Sequence, residues 1–197
     1  MKSTYKHLCR NDFGGNYKKI WKAKILLKVK IFMWLLVDNL CGCNWRGNES
    51  CAFCTEKESV RHIFFECVTV KYIWSLIAFV FGANCRPGNF DQYLVWIGNS
   101  LPQGQRVYAM GLIAISWAIW RTINSICFDH KRVKYPTEIV CMICSFIVYW
   151  VVGLFKEEME MQVIQGVDTV KVAALFFHKK DVEKQAHEDR QLVPYVG

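Results

Sequence analysis

Four side chains stand at a spacing that grips a metal ion. Cys51 and Cys54 are separated by two residues, His62 follows after seven more, and Cys67 after a further four. Two cysteines at that separation form a tight knuckle that offers both sulfurs to one ion. His62 and Cys67 can then close a tetrahedron from the start of the next helix. Three thiolates and one imidazole are a structural zinc set, closed to water and therefore not catalytic. Such a site keeps one net negative charge, which Lys57, Arg61 and Lys71 lie near enough in sequence to offset. Ten cysteines make a chance match easier, so four buried, unmetallated residues are the alternative reading. Cys41-Gly42-Cys43 could supply a replacement ligand. Cys141 and Cys144 fall in an apolar helix and read as packing. Cys9, Cys85 and Cys127 read as isolated thiols. The opening MKSTYKHLCRNDF lacks the apolar stretch of a signal peptide. The expectation is therefore an intracellular chain, nucleus and cytoplasm not being distinguishable, whose reduced thiols favour metal over disulfides.

Charge is the second feature with chemistry in it. The net charge is +8, and residues 1–30 hold nine basic residues against Asp12 alone, so the whole surplus sits in this arm. Such an arm attracts polyanions, nucleic acid first and anionic membrane second. Lys18, Lys19, Lys22, Lys24, Lys28 and Lys30 are the candidate phosphate contacts. Tyr5, Tyr17 and Trp21, interleaved with them, could stack on unpaired bases. The plainer readings are a solvated helix face for the lysines and core packing for Trp21 and Trp34.

Helices must position these groups. With 53% hydrophobic and 15% aromatic residues the chain has ample material for a packed core. Residues 20–40 read as a helix, with Val29, Phe32, Met33, Leu36 and Leu40 recurring on one stripe. Residues 41–67 are rich in turn formers and hold the metal ligands. A second helix is expected from Val68 to about Val80, with Val70, Ile73, Trp74 and Ile77 inward. Breaks at Asn84–Gly88 and Pro102–Gly104 frame a short helix at 91–98. A long helix follows at 105–128, with Met110, Ile113, Trp117, Trp120 and Asn124 near one face. Pro136 opens the last strong helix, 138–155, and the tail from Lys156 is polar, with a short apolar run at 172–177 that has no obvious partner. The fold class is mainly α: a small helical domain with an irregular zinc-binding loop, followed by further apolar helices and a polar tail. Ile139 to Phe155 is an uncharged run of 17 residues, at the lower limit for a membrane span and diluted by Ser145, Gly153 and two cysteines. Residues 107–120 form a shorter uncharged run.

Ser3-Thr4-Tyr5-Lys6, then Ile20-Trp21-Lys22-Ala23-Lys24, then Lys28-Val29-Lys30-Ile31-Phe32-Met33-Trp34-Leu35-Leu36, then the site ending His62-Ile63-Phe64-Phe65-Glu66-Cys67, then Trp74, follow one order. Together they resemble the reverse-transcriptase zinc-binding domain, found downstream of the polymerase in plant non-LTR (LINE-type) retrotransposons. The resemblance covers residues 2 to about 78 and continues more loosely through Trp117, Trp120, Asn124 and Phe128. It implies a zinc-ordered module that helps a reverse transcriptase hold its RNA template or target DNA. Two departures stand out. Ile25-Leu26-Leu27 replaces the proline that the family usually carries, leaving the first helix free to run on from Ile20. Ile123 replaces the arginine usual before Asn124, which weakens any phosphate contact there. The implied organisation is a reverse-transcriptase zinc-binding-like domain at 1–80, a helical extension at 81–155 and a polar tail of unknown structure at 156–197.

Three functions compete. A non-catalytic zinc module that binds RNA or single-stranded DNA through its basic arm leads. A zinc-stabilised protein-interaction domain is second, and a membrane protein using residues 139–155 is third and disfavoured. No small-molecule substrate is expected. An enzyme is the weakest reading: the sequence has no acidic triad for phosphoryl transfer, no polymerase Asp-Asp pair, no phosphate-loop glycine pattern and no nucleophile elbow.

Overall fold

The structure, a computed structural model, describes residues 26–37, 50–80, 82, 86–100, 104–131, 133 and 135–191. Among these residues the chain forms helices and no β-strand: α1 (Leu27–Val37), a π-helical turn (His62–Glu66), α2 (Val68–Val80), α3 (Phe90–Ser100), α4 (Gln105–Phe128), α5 (Pro136–Val151) and α6 (Glu157–Gln191). The mainly α class expected from the sequence is the class observed.

Local chemistry explains several boundaries. At the start of α3 the Gln92 N–H donates to Asn89 Oδ1 and the Gly88 N–H donates to Gln92 Oε1, both at 2.8 Å, a reciprocal cap. Pro136 opens α5 in its first turn, where a missing N–H costs little, and the Tyr135 N–H donates to Glu138 Oε1 at 3.2 Å. The helix expected over 138–155 stops instead at Val151. The Leu154 N–H turns back to the Val151 carbonyl, and Gly153 takes φ +74°, a left-handed conformation that glycine adopts without steric cost. Glu160 secures this turn by accepting the Gly153 N–H at 2.7 Å. At the other end of the chain, Leu26 lies outside the helix that begins at Leu27, so the helix does not run unbroken through this point from Ile20.

The buried residues form one contiguous core that reaches from Val29 in α1 to Ala174 in α6. Segments 1–80, 81–155 and 156–197 therefore all contribute to the same core. At its centre is α4, buried on nearly every side from Leu112 to Ile119. Helix α1 lies on α4 through Val29, Phe32, Met33 and Leu36, the stripe read from the sequence, while Leu40 is outside the described residues. Phe32 reaches Trp117 edge-on at 5.4 Å between ring centroids. Of the expected α4 face, Met110, Ile113 and Trp117 are buried, whereas Asn124 is half-buried and Trp120 is exposed.

The segment read as a polar tail is the longest helix among the described residues. Helix α6 packs against α5 and α2. Val167, Val170 and Ala174 are buried, and Val163 and Phe177 pack partly against the core. These five recur at alternating steps of four and three, the spacing of a helical stripe. Met159, Met161, Val172, Leu175 and Phe176 lie off that stripe and are exposed, which blurs its period in the sequence. The run at 172–177 finds a partner in part: Ala174 is buried and Phe177 meets Phe79 of α2 edge-on at 5.5 Å, while Val172, Leu175 and Phe176 are exposed.

The uncharged run at 139–155 is interrupted at Val151. The 16 residues of α5 span roughly 24 Å, short of the roughly 30 Å of a bilayer core. By length and composition, one helix among the described residues could cross a membrane, Arg106–Phe128, and half of its most apolar stretch is buried inside the protein.

Candidate metal centre

Cys51, Cys54, His62 and Cys67 converge. One ligand atom from each lies within 4.8 Å of every other. Cys51 Sγ and Cys67 Sγ are 3.9 Å apart, Cys67 Sγ and Cys54 Sγ 3.9 Å, and Cys54 Sγ and His62 Nε2 3.1 Å. Zinc bonds of about 2.3 Å to sulfur and 2.0–2.1 Å to nitrogen place two sulfurs roughly 3.8 Å apart in a tetrahedron, and a sulfur and a nitrogen roughly 3.6 Å apart. The Cys51–Cys67 and Cys54–Cys67 pairs already match that edge. The Cys54–His62 pair stands at hydrogen-bond distance and must part by about half an ångström to admit an ion. The donor set and its spacing therefore fit zinc.

The Cys51–Cys54 knuckle is built by backbone bonds. Ser50 and Lys57 pair in an antiparallel bridge, the Cys51 N–H donates to the Glu56 carbonyl at 2.9 Å, and the Cys54 N–H donates to the Cys51 carbonyl at 3.3 Å. The turn also aims the Phe53 N–H at Cys51 Sγ, 3.5 Å away. That donor stabilises a thiolate, which is the form that binds metal. Cys51 and Cys67 are buried, and Cys54 and His62 are half-buried. Burial pushes the Cys51 thiol up to about 12, partly offset by the Phe53 N–H. A metal must displace that proton to bind.

The other two ligands depend on an unusual helical turn. His62 and Cys67 are five residues apart, which in an α-helix sets two side chains about 140° from each other. Here the Cys67 N–H donates to the His62 carbonyl at 2.7 Å, an i to i+5 bond that fits one extra residue into the turn. The two side chains then share a side. Ser59 starts this segment: its Oγ accepts the His62 N–H at 3.0 Å, and its carbonyl accepts the Ile63 N–H at 2.8 Å. Cys67 leaves the helical region with ψ 139°, and its carbonyl opens α2 by accepting the Lys71 N–H.

The residues between the ligands anchor the turn. Ile63, Phe64 and Phe65 are buried, as the loop's apolar content requires, and Phe53 packs partly against the core. Phe65 stacks on Trp74 at 5.9 Å and 8°, and meets Phe90 edge-on at 4.7 Å. Phe64 packs near Phe32 and Phe90. The Trp74 Nε1–H donates to the Phe64 carbonyl at 2.9 Å. That carbonyl would bond the residue four positions on in a continuing helix, but the bend at Cys67 breaks the series. Trp74 supplies the missing donor.

Sequence reasoning identified the four ligands and missed Ser59, the Phe53 amide and the structural use of Trp74. Serine three residues before His62 is a helix-start signal that could have revealed Ser59. The Phe53 amide belongs to the local Cys51–Cys54 knuckle, whereas the Trp74 bond reaches back ten residues and no local pattern encodes it. Of the nearby basic groups, Arg61 is paired with Glu66 at 2.6 Å and Lys71 is exposed. Of the candidate phosphate contacts, Lys28 is exposed on α1 with its Nζ 5.9 Å from the centre of the Trp117 ring, and Lys30 is half-buried. Lys18, Lys19, Lys22 and Lys24 lie outside the described residues, as do Tyr5, Tyr17, Trp21, Cys9, Cys41, Cys43, Cys85 and the side chain of Trp34. Cys141 and Cys144 sit on α5 away from the metal ligands, with the Cys144 thiol 3.8 Å from the Val167 carbonyl.

Comparison with known proteins bears on the same segment. Residues 1–74 match the family model described as zinc-binding in reverse transcriptase. The match includes all four converging ligands and ends at Trp74. No curated protein and no solved structure matches the chain.

Proposed function

We propose that this chain is a non-catalytic, zinc-ordered module that binds RNA or single-stranded DNA, akin to the C-terminal part of a plant non-LTR (LINE-type) retrotransposon reverse transcriptase. The observation that carries the reading is the convergence of Cys51, Cys54, His62 and Cys67 inside the segment that matches the reverse-transcriptase family. The metal orders the turn. The basic arm, with Lys18, Lys19, Lys22, Lys24, Lys28 and Lys30, neutralises phosphates. Cys54 and His62 alone would resemble an activated thiol, but two further sulfurs crowd the pair. Four protein ligands leave no open coordination position for chemistry.

The burial of Ile63, Phe64 and Phe65 between the ligands supports a second reading, a zinc-stabilised protein-interaction domain in which the metal only completes the fold. Binding of a labelled single-stranded RNA by the zinc-loaded chain at 50 and 200 mM salt separates the two. The nucleic-acid reading requires binding that weakens steeply between these salts, and that weakens further when Lys18, Lys19, Lys22 and Lys24 are changed to Glu. Absent or salt-independent binding would discard it in favour of the second.

A further inference from the structure

Helices α2 to α6 do not close completely on one another. They leave a cavity of about 370 Å³, within the roughly 300–1,000 Å³ range of small-molecule sites. We propose that this cavity binds an uncharged, largely apolar small molecule of one to three rings. The inference concerns a different part of the molecule from the metal centre and stands independently of the function proposed above.

The wall decides the chemistry. None of the described residues that line the cavity is charged. Much of its polar content is already committed within the protein. The Tyr93 hydroxyl donates to the Tyr108 carbonyl at 3.0 Å, the Trp74 indole to the Phe64 carbonyl at 2.9 Å, and the Cys144 thiol lies 3.8 Å from the Val167 carbonyl. An ion would find no counter-charge in the wall, and water would find few partners. Trp74, Tyr93, Trp96 and Tyr108 contribute aromatic surface to the wall, which suits a flat ring system.

Two glycines of the wall leave space unfilled. Gly111 lies within α4 and Gly166 within α6, and both line the cavity. Glycine inside a helix costs roughly 1 kcal/mol relative to alanine, so its presence at two positions of the wall calls for a reason. Backbone conformation gives none, since neither has a positive φ. Close helix packing gives none either. A Cβ at Gly166 would meet nothing within 4 Å, and one at Gly111 would meet the Tyr93 hydroxyl at 3.8 Å, an ordinary contact. What the missing side chains leave is room.

The test uses the zinc-loaded full chain and N-phenyl-1-naphthylamine, an uncharged dye that brightens in apolar surroundings. One saturable site per chain is expected, with at least tenfold weaker binding of the anionic analogue 1-anilinonaphthalene-8-sulfonate. Gly166→Leu should fill the space, weaken dye binding at least tenfold, and leave helicity and zinc content unchanged with Tm no lower. Gly111→Leu, from α4, should do the same. No saturable binding, equal affinity for the anionic dye, unchanged affinity in both glycine variants, or loss of fold in both would overturn the proposal.

Discussion

Replacing Trp74 with Phe tests how the metal centre depends on the core. The indole Nε1–H is 2.9 Å from the Phe64 carbonyl, and Trp74 and Phe64 are only 3% and 4% exposed, so the bond is shielded from bulk water. Phe keeps much of the ring packing against Phe65 and loses the donor. Stranding a buried acceptor costs roughly 1–3 kcal/mol, and the void left by the second ring adds on the order of 1 kcal/mol. The sum is about 2–4 kcal/mol, concentrated on the turn that holds His62 and Cys67 on one side. If the zinc-bound state requires that turn and the metal-free loop does not hold it, the cost appears in zinc affinity. At about 1.4 kcal/mol per tenfold, affinity then falls roughly 30- to 700-fold. Competition against a chromophoric chelator measures it, with far-UV circular dichroism as the check that α4, α5 and α6 persist. A Trp74→Phe chain that binds zinc within threefold of the parent would refute the reasoning, even if its Tm fell, because the turn would then hold without its interior donor.

Three further outcomes follow from the same structure. Chelation, or His62→Ala, should speed amide exchange across residues 50–67 while α4, α5 and α6 keep their protection, because only the metal ties the Cys51–Cys54 knuckle to the turn that Ile63, Phe64 and Phe65 anchor; uniform exposure of the chain would contradict this. Gly153→Ala places a Cβ at φ +74° and should cost about 1–2 kcal/mol, read as a lower urea midpoint with unchanged slope; an unchanged midpoint would mean that the α5–α6 turn relaxes freely. Burial raises the Cys144 thiol from 9.0 to about 11. The unfolded chain therefore ionises first, and this stability contribution is intact below pH 9 and fades as pH rises toward 11, by at most about 1.4 kcal/mol per pH unit. Cys144→Ala should flatten that slope between pH 8.5 and 10.5, and an equal slope in parent and variant would show that the thiol is not held neutral.

Much of this molecule is legible in the residues alone. The identity and spacing of Cys51, Cys54, His62 and Cys67 define a metal-binding set before any fold is known, because ligand type is a property of side chains and the knuckle is local. The bounds expected for the helices at 68–80 and 105–128 coincide with α2 and α4, since Asn84, Pro87, Pro102 and Gly104 punctuate the chain between them. The stripe of Val29, Phe32, Met33 and Leu36 is buried as its period requires. What the sequence could not decide is whether His62 and Cys67 would face one point. In a regular helix they diverge, and only the π-helical turn brings them together. That turn is held by contacts remote in sequence: Phe64 on Phe32, Phe65 on Phe90, and the Trp74 indole on a carbonyl ten residues earlier. The docking of α6 belongs to the same class, because its sparse stripe acquires a stabilising role only once α2 and α5 offer a surface to bury it. Local spacing fixes which atoms are available, but burial against distant helices selects the backbone turn that makes them meet, and that selection is a property of the assembled core.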